Sequence, residues 1–135
     1  MTVYVVLDTN VLVSAFLTKS EASAAFQILE KMYLREFIPV YSREIMAEYE
    51  GVLRQKKFGF LPKRVDFLME SIREFGLLIE PSPTGEQLPD MKDLPFYEVV
   101  MDDSIDEKYL VTGNIKHFPQ KPFIVTPRQL LDLLS

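Results

Sequence analysis

The run Val3-Tyr4-Val5-Val6-Leu7 is apolar or aromatic without alternation and stops at Asp8-Thr9-Asn10. A strand with one wet face alternates polar and apolar residues, whereas an unbroken run is covered on both faces, the condition of a strand inside a parallel sheet. That requirement constrains everything downstream, because parallel neighbours need long crossovers and helices supply them. It also places Asp8 at the carboxyl end of a buried strand, where open α/β sheets gather their ligands. An ionised carboxylate there is costly unless it is paired, hydrogen-bonded or bound to a cation. A plainer reading stays open, since Asn10 to Phe16 looks helical and Asp is a favoured N-cap.

The rest of the chain keeps alternating helix and strand signals. From Ser20, the expected cap, to Leu34, the residues Ala22, Ala25, Phe26, Leu29, Met32 and Tyr33 make one helical stripe. Phe37 to Val40 reads as the second strand, with Pro39 best placed near a sheet end or irregularity. Ser42 caps the next helix, with Glu44 in its first turn, and Pro62 opens another that Gly76 ends. Leu77 to Glu80 is the third expected strand, followed by a loop from Pro81 to about Lys92, a length more typical of functional loops than of connectors. Helix resumes near Asp93; Tyr109 to Thr112 and Phe123 to Val125 are the last strands, and Thr126 with Pro127 opens the final helix. The pattern predicts an α/β fold with a mostly parallel sheet of about five strands.

At 135 residues and 47% hydrophobic, the chain suits one compact domain over residues 1–135. It has no cysteine, which excludes disulfide scaffolds and thiolate zinc sites. No apolar stretch approaches membrane-spanning length, and the opening is a strand rather than a basic leader, so a cytoplasmic location is expected. The formal charge of -5 argues against binding duplex nucleic acid through sheer positive charge. Acids gathered in one pocket would account for part of it.

Two further carboxylates draw attention, Glu48 in the Ser42 helix and Asp93 in Asp90-Met91-Lys92-Asp93-Leu94-Pro95-Phe96. Taken singly, Glu48 reads equally as a solvated helix residue and Asp93 as an N-cap worth about 1 kcal/mol.

In combination with Asp8-Thr9-Asn10-Val11-Leu12-Val13-Ser14-Ala15 and the later Val111-Thr112-Gly113-Asn114, they give a chain that resembles the PIN-domain family over nearly its whole length. The likeness is strongest to the bacterial members that are toxin components of toxin-antitoxin pairs. It implies a three-layer α/β/α fold and a metal-dependent endoribonuclease. It further implies Asp8, Glu48 and Asp93 as acids holding magnesium or manganese, Thr9 and Thr112 as hydroxyls behind them, RNA as substrate and a small antitoxin as partner. Magnesium is a hard cation that prefers oxygen and needs only a few carboxylates beside substrate phosphate, so an acidic cluster is chemically sensible.

The chain departs from the more acidic family pattern at the fourth position. Many members carry an Asp directly after the Thr-Gly pair or three residues later, where this chain has Asn114 and His117. Asn114 offers a neutral oxygen and would hold a second ion more weakly. His117, the only histidine, could contact phosphate or a softer metal, but with no partner visible in sequence the favoured reading is a loop residue bonded to backbone. Asp102, Asp103 and Asp106 precede the fourth strand and are expected at the opposite end of the sheet.

Arg54, Lys56, Lys57, Lys63 and Arg64 surround Phe58 and Phe60 without an intervening acid. The segment could hold RNA phosphates while a ring stacks on a base, could be a solvated helix connection, or could meet an antitoxin or the second subunit of a homodimer. Two competing functions follow. A haloacid-dehalogenase-type phosphatase also opens with an Asp at a strand end, but wants a second Asp where Asn10 stands. A catalytically inactive PIN-like module binding RNA or protein would tolerate Asn114.

Overall fold

The computed structural model describes residues 2–135. The opening run forms β1 (Tyr4–Leu7), with Val5, Val6 and Leu7 consecutively buried, so both faces of the strand are covered as an unalternating run demands. Around it lie β2 (Ile38–Tyr41), β3 (Leu77–Leu78), β4 (Lys108–Val111) and β5 (Ile124–Val125). The helices are α1 (Thr9–Leu17), α2 (Ala24–Tyr33), α3 (Arg43–Leu53), α4 (Pro62–Phe75), α5 (Leu94–Val100) and α6 (Pro127–Leu134).

The sheet has the order β3-β2-β1-β4-β5, and every pairing is parallel. The chain winds from β1 outward to β3, then returns to the other side of β1 for β4 and β5. The winding direction therefore reverses between β1 and β4, and a crevice opens at their carboxyl ends. Register runs Tyr4 opposite Lys108 through Leu7 opposite Val111, so Asp8 and Thr112 leave their strands level with each other. Helix α5 packs on β1, β2 and β4, while α2 packs on α1 and α6. Among the described residues no helix is long and apolar enough to cross a membrane.

Local chemistry explains most element ends. Ser42 caps α3 by accepting from Ile45 N, and Thr126 forms a reciprocal capping box with Gln129. The second helix starts later than expected, at Ala24, because the Ser20 hydroxyl is used by a preceding turn, accepting from Ala22 N, and Ser23 caps instead. Pro39 sits where β2 changes partner: Ile38 and Pro39 face β1, Val40 and Tyr41 face β3. Ile38 N–H donates to the carbonyl of Val3, just before β1, so the missing Pro39 N–H falls on the other side, before β3 begins. Gly76 closes α4 at a point where a Cβ would lie 2.3 Å from the Ile72 carbonyl oxygen and 2.8 Å from that of Pro39, so no larger residue fits. The expected third strand, Leu77 to Glu80, shortens to two residues.

Candidate active site

Asp8 begins the site. Its backbone N–H donates to Val111 O at 2.9 Å, which carries the β1–β4 pairing one residue past the strand. Asp8 occupies the N-cap position of α1, yet its side chain makes no capping bond. The carboxylate turns across the crevice, where Oδ2 accepts from Thr112 Oγ1 at 2.7 Å and from Asn10 Nδ2 at 3.1 Å. Capping, the plainer reading of Asp8, is therefore set aside.

Thr112 is fully buried and its hydroxyl is used in both directions, donating to Asp8 and accepting from Asn114 N at 2.9 Å. Asn10 completes the clamp: its Oδ1 accepts from Gly113 N at 3.0 Å while its amide group serves Asp8. Sequence reasoning gave Asn10 no role in the site. Its position two residues after Asp8 was the available signal, but only the level register of β1 and β4 brings it to Gly113. A neutral clamp at this position is also the wrong chemistry for the second acid of a phosphatase.

Asp8 is 4% exposed, and burial is the main reason its carboxyl is pushed up to about 6. The Thr112 and Asn10 donors oppose that rise, whereas the charge of Asp93 adds to it. Asp93 itself is raised, by burial and then by Asp90, with His117 acting the other way. Like Asp8, it stands at a helix N-cap without capping by its side chain; its Oδ2 instead lies 3.2 Å from His117 Nδ1. His117, expected to bond backbone through its ring, has this carboxylate as its partner.

Glu48 is half-buried on α3, beside Tyr49, whose hydroxyl donates to the Leu7 carbonyl and ties that helix to the end of β1. The three acids do not form a ready cluster. Among the described residues no group of three or more His, Cys, Asp or Glu side chains is placed to hold a metal ion. The structure couples Asp8 with Asp93 and leaves Glu48 outside that pair. Thr9, expected to support the acids, is buried with its hydroxyl unpartnered. Asn114 is exposed at the mouth of β4 and reaches the site through its backbone N–H.

The donor set nevertheless fits a hard cation. Asp8 and Asp93 are two carboxylates penalised by burial, and magnesium needs only one or two such ligands together with phosphate oxygens and water. Thr9, the neighbour of Asp8 in the chain, adds a buried hydroxyl without a partner.

The basic segment divides. Arg54 pairs with Glu50 at 3.2 Å and Asp66 at 2.6 Å. Arg64 lies 4.0 Å over the Phe16 ring and donates to the Phe16 carbonyl at 2.9 Å, closing the end of α1. These two residues are engaged within the fold, as a helix connection would have them. Lys56, Lys57 and Lys63 are exposed and make no ion pair among the described residues. Phe58 and Phe60 stack on each other with centroids 5.1 Å apart, and Phe60 meets Phe16 edge-on.

At the other end of the sheet, Asp103, Asp106, Glu107 and Lys108 rim a cavity of about 460 Å³ floored by Val100 and Phe123. These acids precede β4, as expected, and share nothing with Asp8.

A parallel sheet whose switch point holds a buried, clamped carboxylate within the electrostatic reach of a second acid defines an α/β domain with an acidic site. The PIN domain family matches residues 4–116, and the chain belongs to that family, whose members are generally nucleases. Neither the curated proteins nor the solved structures yield a match.

Proposed function

We propose that the chain is a magnesium- or manganese-dependent endoribonuclease and the toxin half of a toxin-antitoxin pair, held in check by a small antitoxin protein. The observation that carries this reading is the Asp8–Asp93 pair: a buried acid and a half-buried one close enough for the charge of Asp93 to act on Asp8, with Asp8 fixed by Thr112 and Asn10. Asp8 and Asp93 would hold the cation, with Glu48 joining from α3 and Asn114 offering a neutral oxygen. When bound, the cation neutralises charge on the scissile phosphate and lowers the pKa of the attacking water. The protein's own part is to fix Asp8 before substrate arrives, so that little reorganisation remains at the moment of reaction. Lys56, Lys57 and Lys63 would hold the RNA backbone and position the strand.

A second reading is favoured by one observation: among the described residues no third metal-ligating side chain joins Asp8 and Asp93 in a group placed to hold an ion. On that reading the domain binds RNA or protein without cleaving it. Purified protein incubated with RNA in magnesium or manganese, and in excess chelator, separates the two. Cleavage that requires the cation supports the nuclease; cation-independent binding with no cleavage supports the module. A short neighbouring reading frame encoding a small protein that suppresses the activity would support the toxin assignment.

A further inference from the structure

His117 ends a short 3-10 turn, Ile115–His117, that follows β4. Its backbone N–H is held by Asn114 O at 2.9 Å, and the next residue, Phe118, is buried, so the turn presents the imidazole from an anchored base. The ring is turned to Asp93, with Nδ1 3.2 Å from Oδ2, and among the described residues this is the one side-chain hydrogen bond that Asp93 makes. The His117 side chain is 43% exposed and that of Asp93 16%. A contact this open to water adds little to the stability of the fold. What it does is restrict a carboxylate that would otherwise rotate at the start of α5.

An ionised carboxylate can only accept, so Nδ1 must carry the hydrogen and the neutral ring must leave Nε2 bare. The same arrangement, an outer hydrogen bond that orients an acid, commonly tunes metal sites. Asp8 is already oriented by Thr112 and Asn10, and Asp93 has only His117. We propose that His117, locked as the Nδ1–H tautomer by Asp93, is the positioning residue that fixes the Asp93 carboxylate for a divalent cation. This rests on the reading of Asp8 and Asp93 as the cation-holding pair.

Two measurements on the full chain test it. In metal-free protein at mildly alkaline pH, long-range ¹H–¹⁵N NMR of the imidazole reports the tautomer directly. The wild type should show a protonated Nδ1, and Asp93→Ala should release the ring to a mixture. Manganese binding is then followed by the EPR signal of the free ion. His117→Ala should weaken affinity by about tenfold or more. His117→Asn, whose amide N–H can take the place of Nδ1–H, should recover most of the loss, and Asp93→Ala should weaken binding at least as much as His117→Ala. RNA affinity of the metal-free protein should be the same in all of them.

A protonated Nε2 in the wild type would overturn the proposal, as would wild-type manganese affinity in His117→Ala. Failure of His117→Asn to improve on His117→Ala would also overturn it, by assigning the loss to ring bulk. The two levels of failure differ. If Asp93→Ala loses manganese and His117→Ala does not, only the role of His117 falls. If Asp93→Ala binds manganese as well as the wild type, the pair itself is misassigned and both fall.

Discussion

At the carboxyl end of the sheet Asp8 is buried and its carboxyl is raised to about 6, while at the amino end Asp102 is held below the ordinary carboxylate range by hydrogen bonds from Ser104. The amino end carries more acids, with Asp102, Asp103, Asp106 and Glu107 in one short stretch before β4. They are solvated, and Lys108 lies among them. A count of charges would therefore pick the wrong end. What distinguishes the candidate site is that a buried acid and a half-buried one lie near each other with hydrogen-bond donors in place of a cation, so each carries an electrostatic cost that a divalent ion would relieve.

The largest expected contrast is in rate. Asp8→Asn should lower cation-dependent RNA cleavage on the order of 10²–10³-fold or more, the scale of losing a preorganised electrostatic group, whereas Asp106→Asn should leave it within about twofold. Single-turnover cleavage in saturating manganese measures both. Equal losses at the two ends would break the comparison.

Stability without metal should respond to pH in opposite directions at the two ends. Asp8 binds its proton more tightly folded than unfolded, so its contribution is full below pH 4 and is lost as pH rises through about 6. A rise of about two units corresponds to about 3 kcal/mol. In chelator, Asp8→Asn should accordingly melt higher than the wild type at pH 8, with the gap closing near pH 4. Asp102, with a depressed pKa, stabilises above the unfolded value and loses that as pH falls, so Asp102→Asn should cost a little at pH 8, under about 1 kcal/mol. Urea titrations at several pH values give both signs.

Thr112→Val keeps the shape and removes the hydroxyl that serves Asp8 and Asn114 N. It should destabilise by about 1–3 kcal/mol at neutral pH, with Thr112→Ser largely restoring the loss. A neutral effect in thermal melts would mean that Asp8 finds another donor. The smallest effect concerns the lysines: Lys56→Gln with Lys57→Gln should flatten the salt dependence of RNA affinity by about two in slope and leave cleavage of bound RNA nearly unchanged. Fluorescence anisotropy on the Asp8→Asn background at several salt concentrations reads the slope.

Much of the frame was legible because it rests on local rules. The unalternating run marks β1, Ser42 and Thr126 mark helix starts, and the order of strands and helices yields a parallel sheet with Asp8 and Thr112 at the same end. Choices between equivalent local partners were harder: Ser20 and Ser23 are both good caps, and a turn that uses one leaves the other. The site itself is assembled from pairs far apart in the chain. His117 meets Asp93, Asn10 meets Gly113, and Arg64 reaches the end of α1, none of which has a periodic signature. Glu48 shows the converse, since its place one residue before a buried Tyr49 is clear in the sequence while the direction of its carboxylate is not.

The sheet also ends abruptly on both sides. Its outer strands, β3 and β5, are each two residues long; Pro81 follows the first, and Pro122 and Pro127 flank the second. Leu77 and Leu78 are 37% and 41% exposed, so one margin shows apolar side chains to solvent. A longer strand of that character would template the addition of strands from other molecules, the first step towards amyloid-like stacking. Two residues offer too few free backbone groups to hold a recruited chain, and the prolines a few positions away keep either strand from lengthening. The domain can thus keep a wholly buried central strand and still resist growing at its margins.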